Sequence, residues 1–214
     1  MATTMGRRER RKVQTRQALA AAALRLFLER GYDGVTVAQI AEEADVSLAT
    51  LFKHVPDGKE AVIFDDGVER REALAATVRD RPAGQSVLAA LRGFMLSRGP
   101  FATDMSAERR EMLDLILRTP ALRAYQRKLW TSAEGVLAAA IAAATGRETT
   151  DPALHALARF VLEVPGLAGL DPHPRESVHA IFDLLENGWS DQRNGSAEGT
   201  AANPLDLLPD EPPA

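Results

Sequence analysis

Between residues 36 and 59 the chain gathers the side chains with most to offer chemically. Thr36, Ser47, Thr50, Lys53, His54 and Lys59 supply hydroxyls, cations and an imidazole, with Leu48 and Ala49 set among them. This mixture does not assemble a nucleophile with its base. It suits a polyanion with a readable edge, because cations and hydroxyls meet phosphate oxygens while short side chains at the front of a helix approach base edges. Other reactive sets are thin. No glycine-rich phosphate loop, nucleophile elbow or paired-histidine motif occurs. Asp65-Asp66 and Asp171-Pro172-His173 come nearest to a metal set. Adjacent carboxylates on a helix point apart, however, and Asp-Pro-His is a natural loop sequence. His155 and His179 read as capping, packing or solvent-facing residues. No enzymatic activity, metal or cofactor is therefore expected.

The elements that must position the 36–59 set are legible as helices. Over 15–30, apolar residues fall at Leu19, Ala22, Ala23, Leu26 and Phe27, one face of a helix that Gly31 stops. Thr36 is placed to cap a second, short helix through Ala44, with Val37, Ile40, Ala41 and Ala44 on its buried side. Asp45-Val46 makes a tight connection, and Ser47 caps a third short helix that runs to about His54 before Pro56-Asp57-Gly58 breaks it. Three helices within sixty residues, the last two joined by a tight turn, predict a tri-helical helix-turn-helix whose final helix can enter a DNA major groove. On that geometry Ser47, Leu48, Ala49 and Thr50 face bases, and Thr36, Lys53, His54 and Lys59 anchor phosphates.

Leu26-Phe27 with Gly31-Tyr32, then VTVAQIAEEADVSLATLFKHV and Lys59-Glu60, resembles the N-terminal domain of the TetR family of bacterial regulators over roughly residues 13–64. Three positions depart from the family pattern. Asp45 stands where the turn commonly has glycine, and Asp tolerates left-handed backbone. Phe52 replaces a tyrosine that often meets a phosphate, and is read as packing. Val55 replaces a common phenylalanine, with Asp57-Gly58 lengthening the turn before Lys59. The resemblance implies a homodimer that holds a palindromic operator in double-stranded DNA and is released when a small-molecule effector binds the C-terminal domain. The same pattern also fits an activator, or a regulator governed by a protein partner with its pocket collapsed. A helical enzyme or scaffold that merely contains the tri-helical unit has less behind it.

Beyond Gly58 the periodicity predicts longer helices over about 59–78, 85–96, 107–117, 120–144, 152–164 and 174–189, for an all-α chain of about nine helices. The expected organisation is a disordered basic arm over 1–12, the helix-turn-helix domain over 13–58, a helical ligand-binding and dimerisation domain over 59–190, and a disordered acidic, proline-rich tail over 191–214. Large apolar groups on the middle helices suit an adaptable pocket for an apolar or amphipathic effector: Phe64, Phe94, Met95, Met112, Leu115, Tyr125, Leu129 and Trp130. The same side chains equally serve core packing. On the last two helices, Leu154, Leu157, Val161, Val178, Ile181, Phe182, Leu185 and Trp189 give enough apolar surface to bury more than one monomer face. In the family such a pair meets its symmetry mate as a four-helix bundle, which sets two reading helices about 34–36 Å, or a multiple of that, apart.

Composition bounds these readings. With 45% hydrophobic and 26% charged residues, and no long charge-free apolar run, the chain reads as a globular cytoplasmic protein that does not insert into membranes. Cysteine is absent, which removes disulfides and thiolate chemistry together. The net charge of -4 opposes DNA only on average. Arg7, Arg8, Arg10, Arg11, Lys12 and Arg16 crowd the N-terminus against Glu9 alone, and local concentration is what a phosphate backbone senses.

Overall fold

The helical periodicity is realised, in a computed structural model that describes residues 6–189, as ten α-helices and two 3-10 turns. In order these are α1 (Arg7–Arg30), α2 (Val37–Glu43), α3 (Leu48–His54), a 3-10 turn (Lys59–Ile63), α4 (Val68–Arg79), α5 (Val87–Leu96), a second 3-10 turn (Gly99–Phe101), α6 (Ala107–Arg118), α7 (Pro120–Thr131), α8 (Glu134–Thr145), α9 (Pro152–Ala168) and α10 (Pro174–Asn187). The fold is all-α, with the helix-turn-helix at α1 to α3 and a helical C-terminal domain. The acidic tail over 191–214 and the first five residues of the basic arm lie outside the described residues.

Four boundaries differ from the periodicity. The arm expected to be disordered is helical from Arg7, since nothing between Gly6 and Gly31 breaks the helix and arginine and lysine propagate one already nucleated on a packed core. The helix expected over 59–78 is interrupted. Gly67 adopts φ 72°, and the carboxylates of Asp65 and Asp66 accept the N–H groups of Gly67 and Val68 at 2.8 and 3.1 Å. Such local bonds compete with the helical ladder. The helix expected over 120–144 divides into α7 and α8 at Ser132-Ala133, where the hydroxyls of Thr131 and Ser132 donate back to the carbonyls of Arg127 and Leu129. This division accounts for ten helices rather than nine. Conversely α9 continues through Pro165 to Ala168, because Val164 and Ala168 are fully buried and their packing outweighs the roughly 3 kcal/mol that a mid-helix proline costs.

Two apolar clusters hold the chain together. One joins Leu19, Leu26, Phe27, Ile40, Leu51 and Val62 of the N-terminal unit to Leu115 and Ile116 of α6 and Leu122 of α7. The core of the helix-turn-helix therefore does not end at residue 58; helices of the second domain complete it. The other cluster packs α4, α5, α8, α9 and α10 around Leu74, Leu91, Leu137, Val161 and Phe182. Among the described residues the cores hold no charged side chain and no polar one besides Tyr32, whose hydroxyl reaches Glu60, so polar recognition takes place at the surface or in clefts.

Candidate nucleic-acid interface

α2 and α3 are only seven residues each, too short to persist alone, and both are fixed at their N-termini by hydroxyl caps. Thr36 Oγ1 accepts the Gln39 N–H at 3.3 Å while the Gln39 side chain accepts the Thr36 N–H at 2.8 Å, a reciprocal capping box. At α3, Ser47 Oγ accepts the Thr50 N–H at 3.1 Å and lies 2.8 Å from Thr50 Oγ1. The connection turns through Asp45 at φ 52°, the only non-glycine residue with positive φ among those described. The Val46 N–H reaches back to the Ala41 carbonyl at 2.9 Å, closing the end of α2.

Ile40, Ala41, Leu51 and Val55 face the core, which leaves the opposite side of α3 to solvent. Leu48 is 42% exposed and Phe52 44% exposed, with Ala49 and Lys53 open beside them. Phe52 is therefore not packing, as its type alone indicated; it shares the outward face of α3. The i, i+4 spacing from Leu48 was the available signal for this. Large apolar side chains standing in water at the front of an exposed helix suit contact with thymine methyl groups rather than hydrogen-bond readout. Ser47 and Thr50 sit at the same leading edge, each hydroxyl already bound to the other.

Two of the expected phosphate anchors are placed differently from Lys53. The Lys59 ammonium points inward, donating to the carbonyls of Tyr32 and Val35 at 2.8 and 2.9 Å and lying 3.9 Å from the centre of the Tyr32 ring. It fastens the turn between α1 and α2 to the 3-10 turn that follows α3. Glu60 works beside it, accepting the Tyr32 hydroxyl at 2.5 Å. Burial and that carboxylate push the Tyr32 phenol up, and the hydroxyl in turn holds Glu60 below its ordinary range. His54 is half-buried. Burial, then the charges of Lys53, Lys12 and Arg16, push its imidazole below the ordinary histidine range, so at neutral pH it is an uncharged hydrogen-bonding group. Arg16, read only as part of a basic run, has a defined position: its guanidinium donates to the His54 carbonyl and the Phe64 carbonyl, both at 2.7 Å, capping the end of α3.

Besides the shared apolar cluster, a polar junction ties the interface to the second domain. Asp57, in the turn after α3, accepts the Tyr125 hydroxyl at 3.0 Å and the Lys128 ammonium at 3.2 Å, both from α7. Tyr125 packs on Phe64 with ring centres 5.5 Å apart. Another side of α7 lines clefts. A space of about 290 Å³ is bounded by Gln126, Trp130, Leu162, Pro165 and Leu170, and one of about 450 Å³ by Arg98, Met105, Arg109, Met112 and Gln126. A smaller space of about 50 Å³ lies against Met95, Phe101, Leu117 and Trp130 and shares Gln126 with both. Of the eight expected effector contacts, Met95, Met112 and Trp130 line these spaces. Phe64 and Tyr125 occupy the junction, Phe94 and Leu115 lie in the two cores, and Leu129 is half-buried outside the lining.

The expected dimer residues divide in the same way. Leu154, Val161, Val178 and Phe182 are at most 2% exposed and close the chain's own core, so they have no surface left for a partner. Leu157, Ile181 and Leu185 pack at its margin. Trp189 stands outward at 83% exposure, and α9 presents Phe160 and Leu167, at 50% and 58%, on the side away from the core. Among the described residues no helix is long and apolar enough to cross a membrane, and no three metal-ligating side chains cluster.

Residues 19–64 match the bacterial regulatory proteins of the tetR family, and residues 85–171 match the MftR C-terminal domain. The HTH-type transcriptional regulator TcmR of Streptomyces glaucescens is 37% identical over 152 residues, 68% of this chain and 67% of that protein. MftR of Mycobacterium tuberculosis is 28% identical over 142 residues, 66% of this chain and 71% of that one. Among solved structures, Salmonella enterica GusR aligns over 81% of this chain and 94% of its own, with 21% identity and a TM-score of 0.48.

Proposed function

The chain belongs to the TetR family of bacterial regulatory proteins, and on that premise we propose that it is a homodimeric repressor whose paired α3 helices hold a palindromic operator until a small apolar or amphipathic effector releases them. Regulators of this family act by binding and are not enzymes. The observation that carries the reading is the outward face of α3. Leu48, Ala49, Phe52 and Lys53 are left in solvent by a helix whose other side and both ends are tightly specified. Leu48, Ala49 and Phe52 meet base edges, with Ser47 and Thr50 at the leading edge, and Lys53 and the exposed start of α2 at Thr36 meet the flanking phosphates. His54 adds a neutral hydrogen bond.

Two copies meet across α9 and α10 through Phe160, Leu167 and Trp189. A two-fold axis there sets the α3 helices about one turn of DNA apart, or a multiple of it. Phe160→Glu combined with Leu167→Glu is expected to give monomers in sedimentation while leaving the fold intact.

The effector occupies the clefts that share Gln126, and α7 supplies the coupling. One side of this twelve-residue helix lines the clefts and another holds Asp57 beside the end of α3. An effector that favours a displaced α7 therefore shifts the population away from the DNA-bound geometry, by no more than its differential affinity for the two states. Selection of bound sites from random duplex DNA tests the function directly. A near-palindrome whose binding Lys53→Glu weakens at matched salt is the expected result; recovery of no preferred sequence overturns the reading.

A further inference from the structure

α1 outruns its own core by more than two turns. Its innermost buried contact is Leu19, and its last tie to the rest of the molecule is Arg16, yet the helix begins at Arg7. At a rise of about 1.5 Å per residue, Arg8 stands roughly 12 Å beyond Arg16. Arg8 and Lys12 continue, at four-residue steps, the line of Arg16 that faces α3. Where a packed helix would carry apolar side chains on that line, this one carries cations.

Arg7, Arg8, Arg10, Arg11 and Lys12 are all exposed, and none forms an ion pair with a described residue. Lys12 lies close enough to His54 for its charge to disfavour the imidazolium. The cationic helix is thus anchored at the carboxyl end of α3 and extends the positive surface that begins with Lys53. Five unpaired like charges within six residues repel one another and destabilise an isolated helix, and a polyanion laid alongside removes that repulsion. A membrane surface is a poorer match, because residues 7–14 offer only Val13 as an apolar group and a helix lying in a bilayer interface needs an apolar face.

We propose that the projecting half of α1 is a second DNA-binding element, which grips the phosphate backbone flanking the site read by α3 without reading sequence. The proposal rests on the DNA-binding reading above and adds to it a sequence-blind contact. Its consequence is quantitative, since each phosphate neutralised contributes about 0.9 to the slope of log K against log salt.

The test uses the full chain and a duplex that the wild type selects from a random pool, together with a scrambled duplex of equal length. In one variant Arg7, Arg8, Arg10, Arg11 and Lys12 become glutamine; in another the four arginines become lysine. With about three phosphates held per arm, the glutamine variant is expected to lower the salt slope by roughly three per protomer. Affinity for selected and scrambled duplexes should fall by the same factor, so their ratio stays constant, and the lysine variant should keep the wild-type slope. The substituted side chains are exposed and unpaired, so melting should move little; a glutamine variant that unfolds is replaced by the chain begun at Val13, judged by the same slope. A wild type that selects no duplex removes the DNA reading altogether. A wild type that binds its selected site while the glutamine variant keeps the same slope overturns the arm alone. So does a variant that keeps the slope but no longer binds phosphatidylglycerol vesicles, which would assign the helix to a lipid surface.

Discussion

Replacing Lys59 by methionine separates two roles that the same residue type can play beside a helix-turn-helix. A lysine on a phosphate contributes to DNA affinity and its salt dependence; a lysine on backbone carbonyls contributes to the fold. The structure puts the Lys59 ammonium on the Tyr32 and Val35 carbonyls at 2.8 and 2.9 Å and over the Tyr32 ring at 3.9 Å. Hydrogen bonds to a charged group are worth about 1.5–3 kcal/mol each, and a half-exposed cation–π contact about 0.5–1 kcal/mol. Methionine keeps most of the stem and recovers some side-chain entropy, on the order of 1–2 kcal/mol. The expected net loss is about 2–6 kcal/mol, or a fall of at least roughly 4 °C in Tm for a chain of this size. Thermal melting and operator binding across a salt series read the two roles together. Lys59→Met is expected to melt early with an unchanged salt slope. Lys53→Gln is expected to do the opposite, losing about 0.9 of slope per protomer at wild-type Tm. A Lys59→Met protein that melts with the wild type while its slope falls would refute the assignment.

Further outcomes follow from single positions. Asp45 sits at φ 52° in the turn between α2 and α3, so Asp45→Gly should raise stability by up to about 1 kcal/mol and Asp45→Val should lower it by at least as much, both read by urea denaturation. Phe182→Ala empties a fully buried site in the larger core and is expected to cost about 3–5 kcal/mol, lowering Tm by roughly 10 °C. Glu60 is held below its ordinary value of 4.5 chiefly by the Tyr32 hydroxyl. A depressed carboxylate stabilises the fold above the unfolded-state pKa, and this contribution is lost as pH falls through the folded-state pKa. Tyr32→Phe should therefore flatten the acid limb of the stability profile below about pH 4.5, which is followed by melting at stepped pH.

Three N-terminal helices, the last two short, were legible in the sequence because each carries its own punctuation: Gly31 after Phe27, Thr36 before the Val37 and Ile40 face, and Ser47 before Leu51. Capping and periodicity act within a few residues, so one dimension suffices to read them, and the leading edge of α3 follows from the same spacing. Tertiary structure decided everything that depends on which of two adjacent faces meets the core. Periodicity marks Leu154, Val161, Val178 and Phe182 as apolar but cannot say that the chain's own helices cover them, leaving Phe160 and Leu167 outside. It also cannot follow a long side chain to its end. The ammonium of Lys59 and the guanidinium of Arg16 lie several bonds from their Cα atoms, and each turns toward backbone carbonyls that come near only when the chain folds. The continuation of α9 through Pro165 has the same origin, because packing of Val164 and Ala168 against distant helices outweighs a local preference that would have ended the helix.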